Sequence, residues 1–197
     1  MARFYRRTQN IPVFTNYRSY KPYLRIDFAR RCAYCETTEA VGSGITAFGV
    51  DHFRPRKLFP ELDCVYVNLY YCCNDCNRYK GAAWPPDHLA ARGLFFPDPC
   101  LCDPQLEHLK ENEFGLFAAI TNAGSFLLES LRLNRQACVR FRQRRALAHR
   151  RILECRSKLN DVIAPVEVRT LLEQILLDLE TEWVECFAAP SALASDL

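Results

Sequence analysis

No run of apolar residues in this chain approaches the ~18–20 needed to span a bilayer. The basic N-terminus, MARFYRRTQN, is followed by no apolar h-region, so no secretory signal is expected and the expected compartment is the cytoplasm. There is no internal repeat and no low-complexity segment. Disorder is excluded as well: 49% of residues are hydrophobic and 25% charged, an ordinary globular balance. A chain of 197 residues suits one domain, or a small core with a helical extension. The lack of a secretion signal bears on the 11 cysteines, an odd number. A disulfide framework does not fit that context, and metal binding is the better first reading.

The net charge is only +3, but it is unevenly spread. Arg3, Arg6, Arg7, Arg18, Lys21, Arg25, Arg30 and Arg31 face a single acid, Asp27, in the first 31 residues. Residues 132–158 are dense in arginine, whereas Glu173, Asp178, Glu180, Glu182 and Glu185 follow in the tail. Basic clusters attract polyanions and release counterions on binding phosphate. The plainer alternative is a solvated helix face, and the acidic tail could fold back on the basic segment.

Three regions are expected: a basic arm with a short helix over 1–31, a core over 32–113, and a helical region over 114–197. Within the core, residues 45–52 read as a strand and 64–67 as a second strand ended by Asn68. A short helix over 73–80 follows. Residues 81–113 read as loop, punctuated by Trp84-Pro85-Pro86 and Phe96-Pro97-Asp98-Pro99. Residues 114–120 suggest a strand. Ser125 suggests the cap of one long amphipathic helix to about 159, and Pro165 opens a last helix to about 187. The fold class is therefore α+β, with a small ββα core in a mainly helical chain.

Cys32-x-x-Cys35 and Cys73-x-x-Cys76 are two thiolate pairs separated by 37 residues. Four soft thiolates favour zinc, and a closed set of four is structural, not catalytic. Cys72 neighbours Cys73, but only Cys73 has the two-residue spacing to Cys76. Cys100 and Cys102 are a weaker candidate for a second site.

The order Cys32-Ala-Tyr-Cys35, Val50-Asp51-His52-Phe53-Arg54-Pro55, Asn68-Leu69 and Cys73-Asn-Asp-Cys76-Asn77-Arg-Tyr-Lys80 resembles the HNH family of ββα-metal endonucleases. The match covers about residues 32–81. It implies phosphodiester hydrolysis of DNA, with His52 as general base, Asn68 holding His52 in orientation, and Asp51 and Asn77 binding a catalytic Mg2+ or Mn2+. Those two side chains offer hard oxygen ligands, separate from the structural Zn2+ on the cysteines. Arg54, Arg78 and Lys80 are the candidate phosphate contacts. Many family members carry histidine where Asn77 stands.

His52-Phe-Arg-Pro55, Asn68-Leu-Tyr-Tyr-Cys72, Lys80-Gly-Ala-Ala-Trp-Pro85, Phe96-Pro-Asp-Pro-Cys100 and Leu131-Arg-Leu-Asn-Arg135 are similar to HNH proteins of bacterial retron and Septu-type antiphage systems. That likeness implies a nuclease effector working beside an ATPase partner. Two alternatives stand beside it: a zinc-stabilised nucleic-acid- or protein-binding subunit with an inactive core, and RNA cleavage by the same site.

Overall fold

The computed structural model describes residues 5, 7–161 and 165–187. Arg3, Arg6 and the chain end over 188–197 lie outside the described residues. The architecture is α+β, with two small antiparallel sheets among helices. Helix α1 (Lys21–Asp27) carries Pro22 in its first turn, where the missing N–H costs nothing. It buries Leu24, and Phe28 behind it, against the central hairpin. Strand β1 (Phe48–His52) pairs with β2 (Leu69–Cys73), setting Asp51 opposite Tyr70 and His52 opposite Leu69. Helix α2 (Asn74–Lys80) follows β2 directly.

Two strands then a helix is the expected local order, but the second strand lies later than expected. Residues 64–67 form no strand, and Asn68 precedes β2 instead of ending it. Leu69, Tyr70, Tyr71 and Cys72 are all buried, because both faces of β2 are covered. A strand covered on both faces reads as a continuous apolar run, so period-two alternation could not locate it.

The N-terminal arm is built into the core. Arg7 donates to the carbonyls of Tyr66 (2.6 Å) and Leu69 (2.7 Å), and its guanidinium lies over the rings of Phe28, Tyr66 and Tyr70. Asp27 accepts from the Thr8 backbone N–H (2.9 Å) and the Tyr66 hydroxyl (2.6 Å). Arg25 forks onto both oxygens of Glu39 at 2.7 Å. These cations serve the fold before any ligand.

Residues 81–113 are not all loop. They hold α3 (Asp87–Ala90), α4 (Pro104–His108) and β3 (Leu109–Glu111), which pairs antiparallel with β4 (Phe117–Ala119). Elements of three to five residues are too short for periodicity to register. Helix α5 (Asn122–Ser130) is capped by Thr121, whose hydroxyl accepts from Gly124 N–H, not by Ser125.

The single long helix expected from Ser125 to about 159 is broken between α5 and α6 (Gln136–Asp161). Leu131 and Leu133 are both fully buried, two positions apart, which one helix face cannot achieve. Arg132 takes φ 47° between them. Asn134 then clamps Phe117, accepting from its N–H and donating to its carbonyl, both at 2.8 Å.

Helix α7 (Val166–Cys186) packs back on α6, so the acidic tail does fold onto the basic segment, with Arg156 2.6 Å from Glu180. Its base is pinned by Phe187 against Phe141 and by Thr38 donating to the Cys186 carbonyl. Of its apolar residues, Leu172, Leu176, Leu179 and Trp183 are half-buried, while Val168, Leu171 and Ile175 stay exposed. Among the described residues no helix is long and apolar enough to cross a membrane.

Candidate active site and metal centre

The first cysteine pair sits in the tight turn closed by the Arg31–Thr38 bridge. Ala33 N–H donates to Tyr71 O at 2.9 Å, which docks this turn on the outer edge of β2. The second pair lies where β2 becomes α2. Cys73 caps the helix, its sulfur accepting from Cys76 N–H at 3.4 Å.

All four sulfurs lie within 4.8 Å of one another. Cys35 and Cys73 are 3.8 Å apart. Tetrahedral Zn–S bonds of about 2.3 Å place sulfurs about 3.8 Å apart, so this buried set could hold a structural ion such as zinc. Cys72 is fully buried beside it, and burial pushes its thiol up to about 12.

A cation among the four sulfurs would relieve the electrostatics of the cluster. Hydrogen bonding from Cys138 and then from Cys32 holds the Cys35 thiol well below its ordinary value. Burial holds Cys32 and Cys76 well above theirs. Four thiolates cannot all be charged here without a compensating ion. Part of that compensation is in place: Arg135 donates to the sulfurs of Cys76 at 3.1 Å and Cys73 at 3.7 Å. Replacing Arg135 with methionine is expected to weaken zinc retention about 10–100-fold, the usual effect of losing a partner that supports metal ligands. Chelator-driven zinc release from the purified variant measures it, and unchanged release would deny Arg135 this role.

Between the two cysteines of the first pair stands Tyr34, and it reaches Asp51. Its hydroxyl donates to Asp51 Oδ2 at 2.5 Å. Lys80 Nζ lies 3.0 Å from the same oxygen and donates to His52 O at 2.6 Å. Asp51 is 3% exposed. Burial raises its carboxyl above the ordinary range, with Lys80 and Tyr34 pulling against that shift. Lys80 therefore departs from the expected phosphate contact. Its side chain has no exposed surface and is spent on Asp51.

His52, next along β1, is oriented by Asp63, not by Asn68. Nε2 lies 2.9 Å from the Asp63 carbonyl oxygen. A carbonyl can only accept, so the neutral ring carries its proton on Nε2 and its lone pair on Nδ1. The Asp63 carboxylate adds an electrostatic neighbour, with Oδ1 3.1 Å from Nε2, and Tyr17 packs edge-on to the ring at 4.7 Å. Asn68 acts one step further out. It accepts from Arg54 N–H at 2.8 Å and donates to Arg54 O at 3.1 Å, clamping the chain two residues beyond His52.

On α2, Asn77 donates from Nδ2 to Val50 O at 3.2 Å, so its amide oxygen is the end available to a ligand. Arg54 lies over the rings of Phe59 and Trp84. Arg78 is exposed and pairs with Asp75 at 2.9 Å. The hairpin and α2 thus bring Asp51 and His52 of β1 against α2, with Asn68 holding the exit of β1. No match to this chain is found among protein families, curated proteins or solved structures.

Three residues of this site carry no signal of their role in the sequence. Tyr34 lies inside a cysteine motif, where attention falls on the sulfurs. Arg135 closes Leu131-Arg-Leu-Asn-Arg135, but nothing in that string points to cysteines nearly sixty positions away. Asp63 sits in a loop with no local pattern.

Proposed function

We propose that this chain is a metal-dependent HNH endonuclease that hydrolyses phosphodiester bonds of DNA. The observation that carries the proposal is that one strand–strand–helix unit holds all three residues, with Asp51 and His52 ending β1, Asn77 of α2 donating to Val50 of that strand, and Asp51 joined to the four-cysteine turn through Tyr34. A zinc module alone has no use for a histidine whose tautomer is fixed beside oxygen donors.

The chemistry follows from the groups. His52 Nδ1 takes a proton from water, and the resulting hydroxide attacks phosphorus as the bond to the 3′ oxygen breaks. The leaving oxygen is protonated from solvent. Asp63 holds the imidazole and stabilises the imidazolium that forms. A divalent cation would supply charge neutralisation on the phosphoryl and leaving oxygens. Asp51 and the amide oxygen of Asn77 fit it in chemistry, since both are hard donors and Asp51 already attracts a cation in Lys80. Arg54 and Arg78, both exposed, would meet phosphate from the surface.

Its proposed setting is a bacterial antiphage system with an ATPase as partner. The exposed Val168, Leu171 and Ile175 on the α6–α7 hairpin are the kind of surface such a partner would cover. The test is cleavage of supercoiled plasmid with Mg2+ or Mn2+, alone and with co-purifying proteins. His52→Ala is expected to lower the rate about 10²–10⁴-fold, the usual worth of a positioned base. Cleavage that persists in that variant would remove His52 from the mechanism. Cleavage of RNA in preference to DNA would redirect the substrate.

A further inference from the structure

A second group of metal-binding side chains lies outside the site just described. One ligand atom each from Cys102, Glu107 and His108 lies within 4.8 Å of the others. Cys100 is not part of this group, so the pairing suggested by the spacing of Cys100 and Cys102 gives way to a mixed sulfur, oxygen and nitrogen set. We propose that these three residues bind a zinc-class transition ion with an open coordination position.

The surrounding structure is arranged to present them. Cys102 stands in the turn that begins at Asp98, its thiol donating to the Asp98 carbonyl at 3.3 Å. Glu107 and His108 close α4, one after the other. Asp103 caps that helix by accepting from Gln105 and Leu106 N–H, each at 3.1 Å, while Glu107 Oε1 accepts from Asp103 N–H at 3.0 Å. The Cys102-bearing turn and the Glu107-bearing helix are therefore locked together. One carboxylate oxygen is used in that lock, and Glu107 Oε2 is the one available to an ion.

His108 is fixed twice. Its Nδ1 lies 2.8 Å from the hydroxyl of Thr121, the kind of outer partner that orients a ligating imidazole. With the proton on Nδ1, the lone pair is on Nε2. Its backbone is held against Gly124, where a Cβ would collide with the His108 carbonyl oxygen. No other residue fits there, so α5 can approach His108 only because position 124 is glycine.

The donor set selects the ion. A thiolate with an imidazole and a carboxylate suits zinc, whereas magnesium and calcium prefer oxygens alone. Three protein ligands leave a tetrahedral ion one position short, the pattern of sites that bind water or a ligand. All three residues line one cavity of about 750 Å³, which also reaches Phe53, Trp84 and Asn68. The fourth position accordingly belongs to a water or to a small oxygen or nitrogen ligand entering that cavity. This second site does not depend on the nuclease reading.

The experiment is metal counting on the full chain after equilibration with excess zinc and gel filtration. Two zinc ions per chain are expected. His108→Ala and Cys102→Ser are each expected to leave one, with circular dichroism unchanged. The one ion retained by His108→Ala and Cys102→Ser reports on the four-cysteine cluster, so failure of either site is seen independently. Cobalt substitution gives a second readout. Wild type minus His108→Ala should yield the spectrum of an ion with a single thiolate, distinct from that of four thiolates. One zinc per wild-type chain, held unchanged by His108→Ala and Cys102→Ser, would overturn the proposal. So would two zinc ions in wild type and in both variants.

Discussion

Removing the ion from the four-cysteine cluster is expected to unfold the β1–β2–α2 unit, not merely to silence it. Structural zinc sites have apparent binding free energies of about 10–16 kcal/mol at neutral pH. That rivals the whole stability of a typical domain, about 5–15 kcal/mol. The cluster is where the first cysteine turn, the end of β2, the start of α2 and, through Arg135, the start of α6 all meet. Without an ion, the thiols of Cys32 and Cys76 return to protonated groups in a buried site. Loss of that anchor also frees Tyr34, and with it one of the two partners holding Asp51 Oδ2. Chelation by a high-affinity agent, followed by circular dichroism and a thermal melt, should show loss of the folded transition. Cys73→Ser should reproduce it without chelator. A metal-free chain that melts at the same temperature as the untreated protein would show that the cluster holds no structural ion.

How far the sequence foretold this arrangement depended on how local each signal was. The two cysteine pairs were legible because ligand spacing is a local constraint. The same constraint separated Cys73 from its neighbour Cys72, since only Cys73 stands at ligand spacing from Cys76. The strand–strand–helix order was legible in outline, but β2 was misplaced because residues 69–72 are buried on both faces. The helix break was hidden because the demand for it is tertiary. Leu131 and Leu133 must both reach the core, and Asn134 must reach Phe117. The basic character of both ends was visible, yet its use was not. Arg142, fully buried, donates to Gly115 O at 2.6 Å and lies over the Phe117 ring, while Arg145 pairs with Glu111. A charge count cannot separate cations that build the fold from those that stay exposed, such as Arg140 and Arg144.

Lys80 is the residue whose role changed most, and it leads to the other large effect. Its ammonium and the Asp51 carboxylate form a fully desolvated pair at 3.0 Å. Lys80→Met keeps the length and apolar stem of the side chain but leaves the carboxylate without its cation. Breaking such a buried pair from one side is expected to cost about 3–5 kcal/mol, because an uncompensated charge remains. Asp51 can escape by binding a proton, to which burial already inclines it. Either way the group proposed to hold a divalent cation is lost. The double variant Asp51→Asn with Lys80→Met removes both charges and should recover most of the stability but none of the cleavage. Denaturant midpoints for the two single variants and the double variant separate the cases. A Lys80→Met midpoint within about 1 kcal/mol of wild type, the ordinary range for an exposed pair, would mean that the Lys80–Asp51 contact is not desolvated in solution. A double variant as unstable as Lys80→Met would trace the loss to packing of the lysine stem. The expected pattern, with Lys80→Met destabilised and the double variant rescued, would assign Lys80 as the residue that compensates the buried Asp51 carboxylate. It would also explain why the lysine that closes the Cys73–Lys80 motif is buried instead of exposed.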